Sequence, residues 1–339
     1  MRRSFKISFV LISFYVTGIL SSSSATDQQD LDSALHFLVH QNYEDAYSYL
    51  QKHSKKNPAD NEALYLSFVI DQTRILDYES YYTESQAFIS AADSLKVVFE
   101  RRLADLSDKD SIECLLYIAN MIGGVSIILS KTGNWLDAVK SAFSSMSILK
   151  KVKKLDPNCY EANLGIGVFN YYLSNSFKWL PFIQDKEKEG IRLVEKALNS
   201  RFPYNYAAKN SLCWILIEQQ DFRKADSLAS SVLNELPDNT IFLRISAYIS
   251  LWSGKYDAAR KHALRIIKSS EGREPRNWAN LVTAYYVMVS SFMEQKNTKD
   301  AYLAAEEFMA KQIPQQYADL PHLKKNIKMI EDIQKKYHQ

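Results

Sequence analysis

The chain has 339 residues, enough for about two domains or one long repeat array. Its 9 glycines and 8 prolines are less than half the usual share of about 12%. Together with 46% hydrophobic residues, that excludes a turn-rich sandwich, a collagen-like chain, a flexible linker and a disordered chain. Of 42 basic residues, Arg2, Arg3 and Lys6 lie in the first 25 positions, which hold no acid; the remainder balances 39 against 39 and offers no footprint for nucleic acid.

Residues 1–25 read as a secretory signal. Met1 to Lys6 is a basic start, Ile7 to Leu20 an apolar core, and Ser23-Ser24-Ala25 a small-residue cleavage site after Ala25. The apolar core is short of the roughly 20 residues of a membrane span, and the alternative is an uncleaved anchor. The expected address is export, with a bacterial periplasm the natural compartment. The mature chain is then residues 26–339, expected as a single helical repeat domain with no membrane span.

Further along, His36 and His40 have the spacing of paired zinc ligands on a helix, but Phe37 stands where a zinc protease has glutamate and no third ligand is apparent. A polar helix face is expected there, with no metal and no cofactor. Glu84–Leu106 and Ile112–Ser130 are two long helical patterns within 76–132, read as a degenerate pair. Cys114 to Ser130 carries no charge and is at the lower length limit for a span; a buried helix is expected, with Gly123 and Gly124 admitting a close neighbour. Cys114, Cys159 and Cys213 are odd in number and far apart, so they form no disulfide framework.

Several catalytic motifs are matched only in fragments. Lys131-Thr132-Gly133 precedes Ser147-x-x-Lys150, the reverse of penicillin-binding enzymes. Glu84-Ser85 lacks the glycine-rich block of lytic transglycosylases, and Gly165-Ile166-Gly167 lacks the third glycine and the strand of a dinucleotide site. The chain is expected not to be an enzyme.

The strongest pattern is internal repetition. An aromatic is followed three residues later by alanine at Tyr43/Ala46, Trp135/Ala138 and Phe222/Ala225, and by a small residue pair at Tyr256/Ala258-Ala259; Ala301 lacks only the aromatic. Gly190 takes the alanine's place once. After each small residue, apolar positions recur at about 3, 4, 7 and 8, as in Ala225, Leu228, Ala229, Val232 and Leu233. Ala225 and Ala259 are 34 residues apart, as are Pro203 and Pro237. The helix after Ala138 runs about two turns longer than the others, and a Lys-rich amphipathic helix over 319–337 is expected to cap the array.

This pattern resembles the tetratricopeptide repeat, of the exported bacterial type, from about residue 31 to 313. The resemblance implies an all-α fold: a right-handed superhelix of antiparallel helix pairs. Asp156-Pro157-Asn158, Gly165 to Tyr172 and Trp179-Leu180-Pro181-Phe182 are similar to a segment of the tetratricopeptide-39 and mitochondrial outer-membrane group, which implies a helical repeat fold and no catalytic role.

The function expected is that of a non-catalytic binding or scaffolding protein of the cell envelope, whose concave face meets a protein or peptide partner. Small-ligand binding (a glycan or lipid) and an accessory role in an envelope enzyme are the alternatives. The connection near Ser174 to Asp185 is long for a repeat turn and rich in rings. Tyr171, Tyr172, Trp179 and Phe182 are therefore the candidate partner-binding residues, with packing inside the array as the competing reading.

Overall fold

The computed structural model describes residues 25–108, 110–176, 185–200 and 204–337; all but Ala25 of the expected signal segment 1–25, and Trp179 and Phe182, lie outside them. Sixteen helices and no strand occur among the described residues. The chain divides into two compact units, one of residues 1–76 and 80–215 and one of 77–79 and 216–339. The repeat spacing by itself marks no such division.

In the first unit, α1 (Ala25–Val39) pairs with α2 (Tyr43–Lys56), and α3 (Asn61–Tyr78) with α4 (Tyr81–Leu103). α5 (Ser111–Lys131) pairs with α6 (Trp135–Leu155), and α7 (Tyr160–Ser176) with α8 (Glu187–Ala197); α9 (Tyr204–Glu218) follows. The pairs run antiparallel. Phe68 stacks on Phe88 at 5.0 Å while Arg74 meets Glu84, so positions rise along α3 as they fall along α4. Likewise the Ser126 hydroxyl donates to the Ala138 carbonyl and Ser145 to that of Ala119, both at 2.7 Å.

The second unit holds α10 (Phe222–Glu235), α11 (Thr240–Trp252), α12 (Tyr256–Glu271), α13 (Trp278–Glu294) and α14 (Thr298–Met309). The short α15 (Gln315–Ala318) leads into α16 (Pro321–Lys336). α16 packs on α13 and α14 through buried Leu323, Ile327 and Ile330, leaving its lysines outward, as a terminal cap requires.

One backbone device makes the turns between paired helices. Gln41, Glu79, Gly133, Gln220, Gly254 and Lys296 all have left-handed φ, between 53° and 84°. In each case the next residue's N–H reaches back five positions to a helix carbonyl, as in Asn42 to Phe37 and Asn297 to Phe292. This closes the last turn of the first helix and satisfies its orphan carbonyls. The residue after the left-handed one then starts the second helix; the Asn42, Asp221 and Asn297 side chains accept from the N–H three positions on.

Four residues after that start comes the helix crossing. Ala46, Ala138, Ala225, Ala259 and Ala301 occupy it, all buried. The same count in α4 arrives at Glu84. The stretch 76–132 expected as a degenerate pair is shared between neighbours: α4 folds back on α3 and also packs against α5, and α5 pairs with α6. The phase is hidden because Glu84 replaces the small residue, forming a two-pronged ion pair with Arg74 at 3.1 and 2.5 Å.

The apolar stretch 114–130 forms α5, the one helix among the described residues long and apolar enough to cross a membrane. In this structure it is a core helix, with 61% of its most apolar window buried. Leu115, Leu116 and Ala119 pack with Met146, Leu149 and Val152 of α6 and with Ala162 and Ile166 of α7. A Cβ on Gly124 would stand 2.6 Å from Gln72 and 2.7 Å from Phe68, and one on Gly123 3.2 Å from the Ser145 hydroxyl. The glycine pair thus admits α3 on one side and α6 on the other.

Candidate interaction site

α6 is 21 residues long against 14 for α10, the two extra turns read from the sequence. Its inner face is spent on the core. Its outer face carries Trp135 (55% exposed), Leu136 (81%), Val139 (39%) and Phe143 (49%), within two turns of one another on one side of the helix. The counterparts of Trp135 at the start of α2 and α4, Tyr43 and Tyr81, are 5% and 2% exposed. The aromatic that is buried at the start of α2 and α4, and half-buried as Phe222 and Tyr256, is here turned to solvent, and the Phe143 ring meets Phe169 of α7 edge-on at 5.0 Å. Single exposed apolar side chains need no explanation; four sharing one face form a patch that water disfavours.

Beside this patch a groove of about 250 Å³ runs between α4 and α6. Met121, Ile122 and Val125 of α5 line it, with Asp93 and Lys96 on the α4 side and Lys140 on the α6 side. Lys140 pairs with Asp137 at 3.3 Å, both well exposed, so that pair contributes little to stability.

The residues singled out in the sequence separate. Tyr171 and Tyr172 are buried, their rings meeting edge-on at 5.1 Å, and the backbone at Tyr171 lies against α8. That approach depends on Gly167 and Gly190: a Cβ on Gly190 would fall 2.7 Å from the Gly167 carbonyl oxygen and 2.7 Å from the Tyr171 nitrogen. The backbone at Tyr171 thus belongs to the close approach of α7 and α8, with Tyr172 buried beside it. The α6 patch was missed in the sequence because Trp135 was read only as a repeat signature; Leu136 beside it was the available signal.

The chemical alternatives have other partners. The His36 and His40 rings lie tilted by 36° with centroids 4.1 Å apart, and Nδ1 of His40 is engaged by the His36 carbonyl at 2.8 Å. Thr132 of the Lys-Thr-Gly match donates to helix carbonyls, and Gly133 makes the turn. Burial pushes all three thiols up, Cys159 to about 12, so none is activated as a nucleophile. Among the described residues no group of three or more His, Cys, Asp or Glu is placed to hold a metal ion.

The second unit contains a buried acid–base cluster. The Asp77 carboxylate accepts from Arg273 at 2.8 Å, from Asn277 at 3.3 Å, from Asn280 at 3.2 Å and from the Thr240 hydroxyl at 3.4 Å. Arg244 donates to Glu79 at 3.3 Å and to the Asn280 side-chain oxygen at 3.4 Å. Burial raises the Tyr248 hydroxyl, which faces the same region, to about 12. These groups are turned on each other and Asp77 is fully buried, which suits a structural role.

No protein-family model and no curated protein matches the chain. Among solved structures it is similar to PilW, a type IV pilus biogenesis factor, at 12% identity over 91% of this chain and 100% of that one, with a TM-score of 0.42. It is similar to a tetratricopeptide repeat protein from Parabacteroides merdae at 13% identity, 91% and 100% coverage and a TM-score of 0.41. The apo quorum sensor NprR from B. thuringiensis aligns at 17% identity over 91% of this chain and 81% of that one, with a TM-score of 0.47. With its left-handed turns, small-residue crossings and antiparallel helix pairs, the chain has an all-α, tetratricopeptide-like fold.

Proposed function

We propose that this chain is a non-catalytic binding or scaffolding protein of the cell envelope that presents helical surface to a protein or peptide partner. The observation that carries the reading is the α6 patch: Trp135, Leu136, Val139 and Phe143 are exposed together where the matching aromatics of α2 and α4 are buried. Trp and Phe are among the residues enriched at protein interfaces, and Leu136 and Val139 extend the apolar area around them. The envelope address rests on the sequence pattern of residues 1–25. Trp179 and Phe182 are proposed to border the partner-binding surface, with Tyr171 and Tyr172 fixing the helix from which their segment leaves.

The test is capture from envelope extract by the full chain and by two double variants, Trp135→Ala/Leu136→Ala and Trp179→Ala/Phe182→Ala. Loss of a defined partner with unchanged melting supports the reading for the pair concerned. A large drop in melting temperature assigns that pair to packing, and absence of any partner on the unmodified chain overturns the scaffold reading.

A further inference from the structure

The exposed side of α6 continues past the apolar patch. Leu136, Lys140, Phe143, Ser147, Lys150 and Lys154 are spaced 4, 3, 4, 3 and 4 residues apart, which places them on one line along the helix. Val139 and Lys151 flank that line. In the N-terminal half Leu136 and Phe143 are exposed with Lys140 between them, and in the C-terminal half Lys150, Lys151 and Lys154 are exposed with no apolar side chain on the line. α6 as a whole carries five lysines against one aspartate, in a chain balanced beyond its first 25 residues. The helix C-terminus accommodates several of those cations. It does not require them on the line that the apolar side chains occupy.

We infer that this face of α6 is a docking strip for an acidic segment of a partner protein, with apolar anchors on Leu136, Val139 and Phe143 and carboxylates on Lys150, Lys151 and Lys154. The inference rests on the scaffold reading and names the chemistry of its partner. From Phe143 to Lys150 is about 10 Å along the axis and from Leu136 to Lys154 about 27 Å, at about 1.5 Å per residue, or about two to five helical turns. The partner therefore presents its carboxylates that far beyond its apolar anchors. Charge complementarity sets the direction in which it lies, since the reversed segment would bring carboxylates onto the apolar half. A helix lying on an anionic membrane would need an apolar face along its whole length, with lysines flanking it. Here the lysines replace the apolar side chains on the same line, which favours a protein segment over a lipid surface.

The probe is a synthetic helical peptide with a leucine cluster at one end and a glutamate cluster about three turns away, beside a version with lysine in place of glutamate. Binding to the full chain is read by fluorescence anisotropy at low and high salt. The glutamate peptide is expected to bind at least about ten-fold more tightly than the lysine peptide, with the preference fading as salt screens it. The triple variant Lys150→Glu/Lys151→Glu/Lys154→Glu is expected to invert that preference, with melting lowered only by the anions it places at the helix C-terminus, and Leu136→Ala/Phe143→Ala to weaken both peptides. Equal binding of the two peptides, no binding by either, or binding only to vesicles rich in an anionic phospholipid overturns the inference. Partner capture from extract that persists in the triple-glutamate variant overturns it too while leaving the scaffold reading intact; no capture by the unmodified chain is the separate failure of that reading.

Discussion

Ala225 in α10 and Glu84 in α4 stand at the same point of the repeat, four residues after the start of the second helix, yet they make the helix crossing by different physics. At Ala225 the position holds a fully buried methyl group. At Glu84 a long charged side chain stands at that position, and the contact is a two-pronged ion pair with Arg74, each side chain about one-third exposed. A third solution occurs between α7 and α8, where Gly167 and Gly190 bring backbone against backbone. The repeat thus specifies where helices cross, and the residue there specifies how near they come. The first unit mixes regular crossings, at Ala46 and Ala138, with both departures, whereas Ala225, Ala259 and Ala301 of the second are all buried alanines.

The comparison breaks most easily at the glycine crossing. Gly190→Ala adds one carbon, but that carbon meets a carbonyl oxygen and a backbone nitrogen at 2.7 Å, neither of which can turn aside. The expected loss is about 2–4 kcal/mol, more than the roughly 1–3 kcal/mol expected of Ala225→Leu, although leucine adds three carbons. Thermal melts of both variants test the order. Equal or reversed losses would mean that α7 and α8 are not in backbone contact.

The ion-pair crossing should respond to pH where the apolar ones do not. Burial raises the Glu84 carboxyl, but the hydrogen bonds from Arg74 and Ser80 and the Arg74 charge outweigh it and hold the group below its ordinary value. A depressed carboxylate contributes stability above its unfolded pKa and loses it as pH falls through the folded one. Glu84→Gln is therefore expected to be less stable than the unmodified chain by about 1 kcal/mol near neutral pH, with the difference closing below about pH 4. Denaturant melts across that range read it. A gap that stays constant with pH would reduce Glu84 to a spacer.

How much of this was legible in the sequence follows from the same residues. Helix content, the positions of Ala46, Ala138, Ala225, Ala259 and Ala301, the extra turns of α6 and the capping helix were all readable, because apolar period and small residues at crossings are local signals. The phase of α4 was not, because its crossing depends on Arg74, ten positions away on another helix. The cluster around Asp77 was not, because its donors lie some two hundred positions further on and no spacing rule links them. Of the candidate site, the aromatic content of α7 was readable, but whether a ring is buried is decided by the neighbouring helix. Tyr171 lies inside and Trp135, read as a packing signature, lies outside.

The smallest expected effect lies in the turns. Glycine holds the left-handed turn position at Gly133 and Gly254, but the same conformation is held by Gln41, Glu79, Gln220 and Lys296. For a residue with a Cβ that conformation costs roughly 1–2 kcal/mol, because the side chain crowds the following carbonyl. Glycine removes that cost but gives back about 0.5–1 kcal/mol through the greater freedom it loses on folding. Lys296→Gly, at φ 60° in the turn before α14, is thus expected to stabilise the chain by about 0.5–1 kcal/mol, and Gly254→Ala, at φ 77°, to destabilise it by a similar amount. A Cβ at Gly254 meets nothing within 4 Å, so backbone strain alone would be read there. Opposite small shifts in denaturant midpoint for the two variants would show that the turn, and not the residue type, is what the repeat preserves. A loss in both would mean that the Lys296 side chain contributes more than its backbone costs.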